Sequence, residues 1–202
     1  TLYGLELDTG QILEEDTVDK PYKSKISGLG YLGGQVYLHQ QGYGTILVWD
    51  PVSDTEVRRL VVMTASLHGG FTGAADLDLL FDGNEVGTIY AINPRTGNVV
   101  RKMETGAGSL KGGMAYHNGE LIAADFGPSP TAKRLDPQTG VLLGEFPVGG
   151  SEYGSLSGLA GDGVAEWFGP PTRTVVLQSE QVIENVDFGS GQFAEIRGRK
   201  WH

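Results

Sequence analysis

Apolar and polar positions in this chain fall in short runs that repeat at long range. Thr45-Ile46-Leu47-Val48-Trp49 leads through Asp50-Pro51 to Asp54-Thr55-Glu56-Val57. Thr88-Ile89-Tyr90-Ala91-Ile92 leads through Asn93-Pro94 to Gly97-Asn98-Val99-Val100. Thr131-Ala132-Lys133-Arg134-Leu135 leads through Asp136-Pro137 to Gly140-Val141-Leu142-Leu143. Thr1-Leu2-Tyr3-Gly4-Leu5 followed by Gly10-Gln11-Ile12-Leu13 is a fourth copy, without the proline. Thr1, Thr45, Thr88 and Thr131 stand 44, 43 and 43 residues apart. Proline presets the first turn dihedral, and a glycine three residues on accepts a positive φ. Each copy therefore predicts a strand, a tight turn and a second strand. No segment keeps an apolar stripe of period 3.6, so helix is not expected.

A second series precedes these hairpins: Ile26-Ser27-Gly28-Leu29, Phe71-Thr72-Gly73-Ala74, Lys111-Gly112-Gly113-Met114 and Leu156-Ser157-Gly158-Leu159. Its small residues suit a crowded innermost strand. A further strand follows each copy, at Gln35–Leu38, Leu79–Phe81, Leu121–Ala124 and Ala165–Phe168. Four short strands per 43–44 residues predict an all-β chain, a β-propeller of four-stranded blades. Residues 24–62, 70–104 and 109–147 supply complete blades. Residues 1–18 supply two outer strands and residues 154–168 two inner ones. The ring then closes as four blades through its termini, belongs to a larger ring, or is one of two halves joined. Residues 1–169 are the expected propeller and 170–202 a short C-terminal β extension.

Composition adds three points. Glycine makes up 32 of 202 residues, about twice ordinary usage, and is spread between apolar runs as turns require. The formal charge of −10 argues against nucleic acid and favours divalent cations or basic partners. There is no cysteine, which excludes disulfides and thiolate metal sites. No stretch approaches the ~18 apolar residues of a membrane span. A start at Thr1 is expected of a processed chain or a piece of a longer one.

Residues 87–100, Gly-Thr-Ile-Tyr-Ala-Ile-Asn-Pro-Arg-Thr-Gly-Asn-Val-Val, resemble bacterial extracytoplasmic propellers of the YVTN and quinoprotein-like type. That group includes enzymes, ligand binders and scaffolds. The tail carries Thr174-Val175-Val176-Leu177, Val186-Asp187-Phe188-Gly189 and Ile196-Arg197-Gly198-Arg199-Lys200-Trp201. It resembles the junctions before Ig-like modules of the SdrD B-like (Cna B-type) class in large bacterial surface proteins. The resemblance implies a further Ig-like module after residues 170–202 and an extracellular or cell-surface location. Thr174 also stands 43 residues after Thr131, so the run alternatively reads as a strand of a fifth blade.

Candidate chemistry is sparse. Loops entering the innermost strands bring Lys25, His68, Ser109, Lys111, Glu152 and Tyr153 towards a channel mouth, where mixed polar groups form a ligand site. His68 and Glu152 are the candidate catalytic pair for a lyase or hydrolase. Ser66-Leu67-His68-Gly69-Gly70 lacks the nucleophile elbow of an esterase. Asp76, Asp78, Asp82, Asn84 and Glu85 are the densest oxygen cluster, a candidate calcium site without EF-hand spacing. No other cofactor is indicated. His39, Asp82 and Asp125 share one repeat position, where a polar side chain organises a turn. Trp49, at a place held by leucine or isoleucine elsewhere, belongs to the core. The expectation is a non-catalytic module of a secreted or cell-surface bacterial protein, for surface architecture, adhesion or partner binding. The alternatives are a channel-sited enzyme and a carbohydrate-binding propeller. Protein or glycan partners fit, as does self-association through blade edges or the tail strand.

Overall fold

The computed structural model describes residues 2–5, 11–16, 26–40, 42, 44–62, 69–125, 131–148, 158–159 and 161. The chain divides into two units, Thr1–Ala165 and Glu166–His202, and every described residue lies in the first. The described residues contain strands and turns, and no helix long and apolar enough to cross a membrane. The strand expected at Ala165–Phe168 and the tail 170–202 lie outside the described residues.

Strands β1 (Leu2–Leu5) and β2 (Ile12–Asp16) form a two-stranded sheet. Three four-stranded antiparallel sheets follow, each with its strands in chain order. The first joins β3 (Ile26–Leu32), β4 (Gln35–Gln40), β5 (Thr45–Asp50) and β6 (Thr55–Val61). The second joins β7 (Phe71–Ala74), β8 (Leu79–Gly83), β9 (Thr88–Ile92) and β10 (Val99–Glu104). The third joins β11 (Gly113–His117), β12 (Glu120–Ala124), β13 (Thr131–Leu135) and β14 (Leu142–Pro147). These are the three expected blades.

The outer hairpins form for the reason their sequences state. Asp50, Asn93 and Asp136 each accept, through Oδ1, the amide two residues on, at 2.9, 2.9 and 2.8 Å. Gly97 and Gly140 then take φ of 75°, and Asp54 holds the same place at 53°. All four hairpins carry a β-bulge at one repeat position, next to Leu5, Trp49, Ile92 and Leu135. The extra residue is Leu13, Val57, Val100 or Leu143, and each is exposed. A bulge breaks the alternation of faces, so this repeated apolar position points to solvent.

Cores lie between neighbouring sheets. Tyr37, Ile46, Val48 and Leu60 of the first sheet pack on Phe71, Leu80, Tyr90 and Ile92 of the second. Phe81, Ile89, Ala91 and Met103 of the second pack on Met114, Tyr116, Leu121 and Leu135 of the third. Trp49 is buried with Leu38 and Leu47 on the first sheet's other face. Two arginines tie the rims of adjacent sheets. Arg58 donates from Nη2 to the Pro94 carbonyl (3.1 Å), and Arg101 donates from Nη1 to the Pro137 carbonyl (3.0 Å).

Between the innermost strands the backbones nearly touch. A Cβ on Gly28 would lie 2.5 Å from the Phe71 Cβ, and one on Gly70 2.2 Å from the Gly113 carbonyl carbon. One on Gly113 would lie 2.5 Å from the Leu159 nitrogen. The true repeat is therefore Gly28-Leu29, Gly70-Phe71, Gly113-Met114 and Gly158-Leu159. This corrects the alignment that put Gly73 in the second copy. Gly73 instead faces back towards the Tyr31 carbonyl, as Gly161 faces that of Tyr116. The slip arises because Ala74 and Leu79 bracket a four-residue loop, whereas Gly33-Gly34 and Asn118-Gly119 are two-residue turns.

Candidate functional site

The candidate mouth lies where β7 and β11 begin and β4, β8 and β12 end. Ser109 and Lys111 are the two expected mouth residues within the described chain; Lys25, His68, Glu152 and Tyr153 lie outside it. Lys111 donates from Nζ to Glu85 Oε2 at 3.2 Å, joining the loop before β11 to the β8–β9 loop. Ser109 takes part through its backbone, whose carbonyl accepts from Lys133 Nζ at 3.3 Å. Lys133 is buried on β13, and its Nζ lies 3.9 Å from Asp125 Oδ2. Sequence reasoning missed Lys133. The available signal was a charge at the repeat place of Leu47 and Tyr90.

The oxygen cluster separates into different roles. Asn84 Oδ1 accepts from the amides of Val86 (3.0 Å) and Thr88 (2.8 Å), capping the β8–β9 loop. Asp125 Oδ1 does the same for Thr131 at 2.8 Å. Asp76 accepts from the Tyr116 hydroxyl at 2.8 Å, and Asp78 pairs with Arg95 at 2.6 Å. Burial, reinforced by the Asp76 carboxylate, pushes the Tyr116 phenol well above its ordinary range. Asp76 and Asp78 precede β8, while Asn84 and Glu85 follow it. Five extended residues span roughly 16 Å, so the two pairs sit at opposite ends of the sheet. Among the described residues no three His, Asp or Glu side chains group as metal ligands.

His39 and Asp82 face each other between the first two sheets. His39 Nδ1 lies 3.1 Å from Asp82 Oδ2, and both side chains are fully buried. The contact lacks hydrogen-bond alignment, and neither Asp82 oxygen has an aligned donor. Ser27 Oγ approaches the same His39 nitrogen at 3.4 Å, and the Phe71 ring lies 5.8 Å from the imidazole. Burial pushes the Asp82 carboxyl well above the usual carboxylate range. The expectation that this repeat position organises a turn holds for Asp125 and fails for Asp82. β4–β5 pairs His39 with Ile46, whereas β8–β9 pairs Asp82 with Tyr90, one place further along. A one-residue change of register reverses the face, so the two residues meet across the interface.

Serine, histidine and aspartate here do not form a proton relay. A relay needs the carboxylate on one ring nitrogen and the hydroxyl on the other. Both approach Nδ1, inside a closed interface. The mouth-side rim instead offers paired charges: Lys111 with Glu85, and Lys102 with Glu104 at 2.7 Å, all substantially exposed. Thr88 Oγ1 also donates to Glu104 at 2.8 Å.

No family model matches this chain, and no curated protein matches it. Solved structures do match. Glutaminyl cyclase from Myxococcus xanthus aligns at a TM-score of 0.57 and 15% identity, covering 71% of this chain and 60% of that one. Hydrazine synthase from Kuenenia stuttgartiensis aligns at 0.51 and 12%, covering 71% and 42%. A chain of the mitotic checkpoint complex aligns at 0.51 and 15%, covering 71% and 43%. The chain thus spans less than two thirds of the first matched structure and less than half of the other two. At these identities the likeness carries the fold alone. Together with three four-stranded sheets in chain order, it makes this chain a β-propeller.

Proposed function

We propose that this chain is a non-catalytic propeller module that binds or scaffolds a basic protein partner, carried by a larger secreted or cell-surface bacterial protein. The observation that carries this reading is the state of the mouth-side polar groups. Asn84 and Asp125 are spent on loop amides, and Lys133 on a backbone carbonyl. Among the described residues, the rim also carries the exposed pairs Lys111–Glu85 and Lys102–Glu104. Exposed pairs contribute little to stability, so a partner's cations can replace the lysines at small cost. A net charge of −10 selects a basic partner and speeds its approach. The matched structures include two named as enzymes and one as a complex, so the fold leaves the choice to the site.

The test is calorimetric titration with a lysine-rich and a glutamate-rich polypeptide at two ionic strengths. Salt-sensitive binding of the former, weakened several-fold by Glu85→Gln with Glu104→Gln, is expected. Turnover in a lyase and hydrolase substrate panel, abolished by His68→Ala, would overturn the reading in favour of a channel-sited enzyme.

A further inference from the structure

Asn118-Gly119 is the two-residue turn between β11 and β12, with φ of 49° and 79°. Asparagine and glycine tolerate such positive φ, which the twist of a short hairpin demands. His117, Asn118 and Gly119 are all exposed. A Cβ on Gly119 would meet no atom within 4 Å, so the space beside its backbone is open. Asn118 Nδ2 lies 2.9 Å from His117 Nε2. The other described asparagines lack this setting. Asn84 is buried, with its Oδ1 held by the amides of Val86 and Thr88. Asn93 precedes a proline, which has no N–H, and its Oδ1 accepts from the amides of Arg95 and Thr96. Asn98 precedes the β-branched Val99, whose side chain crowds its own nitrogen.

We propose that Asn118 is a self-modifying residue, which loses its side-chain amide to the Gly119 backbone with His117 as proton donor. The Gly119 nitrogen, once its proton has passed to solvent base, attacks Asn118 Cγ and forms a cyclic imide. The Cγ–Nδ2 bond breaks as Nδ2 takes a proton from His117 and leaves as ammonia. Water then opens the imide at either carbonyl, giving aspartate or isoaspartate, and solvent returns the proton to His117. A proton donor held against a leaving nitrogen speeds such a step. The two products differ in consequence. Aspartate fits the turn, since Asp54 and Asp78 already hold φ of 53° and 50°. Isoaspartate adds a backbone atom to a turn whose length fixes the β11–β12 register. That register sets Tyr116 against Leu121, both buried, and the Tyr116 hydroxyl reaches Asp76. Isoaspartate formation therefore loosens the core between the second and third sheets as the protein ages.

The test is incubation of the intact chain at neutral pH, with peptide mass spectrometry following each asparagine over time. Deamidation at Asn118 is expected to run well ahead of that at Asn98, with both aspartate and isoaspartate formed. His117→Gln, at an exposed position, can still bond Nδ2 but is no acid, and should slow the loss several-fold. Asn118→Asp should keep the wild-type urea midpoint, while the isoaspartate fraction of aged protein unfolds at lower urea. An Asn118 that deamidates no faster than Asn98 would overturn the inference. So would a His117→Gln chain that deamidates at the wild-type rate.

Discussion

Asp82 should make this protein less stable as pH rises above the ordinary carboxylate range, the reverse of an ordinary surface carboxylate. Its side chain is fully buried between two sheets, and burial alone raises its proton affinity. The unfolded chain loses that proton near pH 4, while the native chain keeps it to higher pH. The Asp82 contribution is therefore complete below pH ~4 and is lost as pH rises towards the native value. Within that window the loss is about 1.4 kcal/mol per pH unit, and above it the curve flattens. Asp50, Asp136, Glu104 and Glu120 have depressed values, from backbone amides, Lys102 or Arg134, so their contributions are lost only as pH falls. Urea unfolding between pH 5 and 8 lies above those losses, and the difference from Asp82→Asn isolates the Asp82 contribution. Asp82→Asn keeps the shape and removes the titration, so its free energy should decline less steeply than the wild type's. In His39→Phe the steep decline should persist, since burial rather than the imidazole is its cause. Parallel curves for wild type and Asp82→Asn would refute the reasoning.

Gly70→Ala should cost about 1–3 kcal/mol by overpacking, because its methyl would lie 2.2 Å from the Gly113 carbonyl carbon; an unchanged urea midpoint would contradict this. Arg101→Met should cost about 1.5 kcal/mol by removing the donor to the Pro137 carbonyl. Arg58→Met should cost a similar amount at Pro94, and with no shared partner the two should add in denaturant titrations. Asn84→Ala leaves the Val86 and Thr88 amides without their acceptor; about 1–2 kcal/mol is expected, read as faster hydrogen exchange at those two amides.

The outer hairpins were legible because their signals are local. The Asx side chain, the proline and the glycine act within one turn, and all three operate as their positions imply. Trp49 was legible as core because its repeat neighbours are aliphatic. The inner-strand register was not legible. A four-residue loop between β7 and β8 breaks the constant spacing, and aligned glycines cease to be equivalent. The candidate site was legible only in part. Ser109 and Lys111 lie in the expected loop, yet the groups they engage, Lys133 and Glu85, come from other elements. The acidic cluster looked like one site because its members are close in sequence. An extended strand carries such neighbours far apart.

The sequence by itself determined the period, the strand–turn–strand units and the all-β class, since each follows from dihedral preferences and face alternation over a few residues. Tertiary structure decided which faces meet. The repeated apolar residues Leu13, Val57, Val100 and Leu143 point outward because a bulge reverses the alternation. His39 and Asp82 oppose each other because two hairpins differ in register by one residue. Leu29 is half exposed while Phe71 and Met114 are covered, because packing between strands distant in sequence decides which of them has a neighbour.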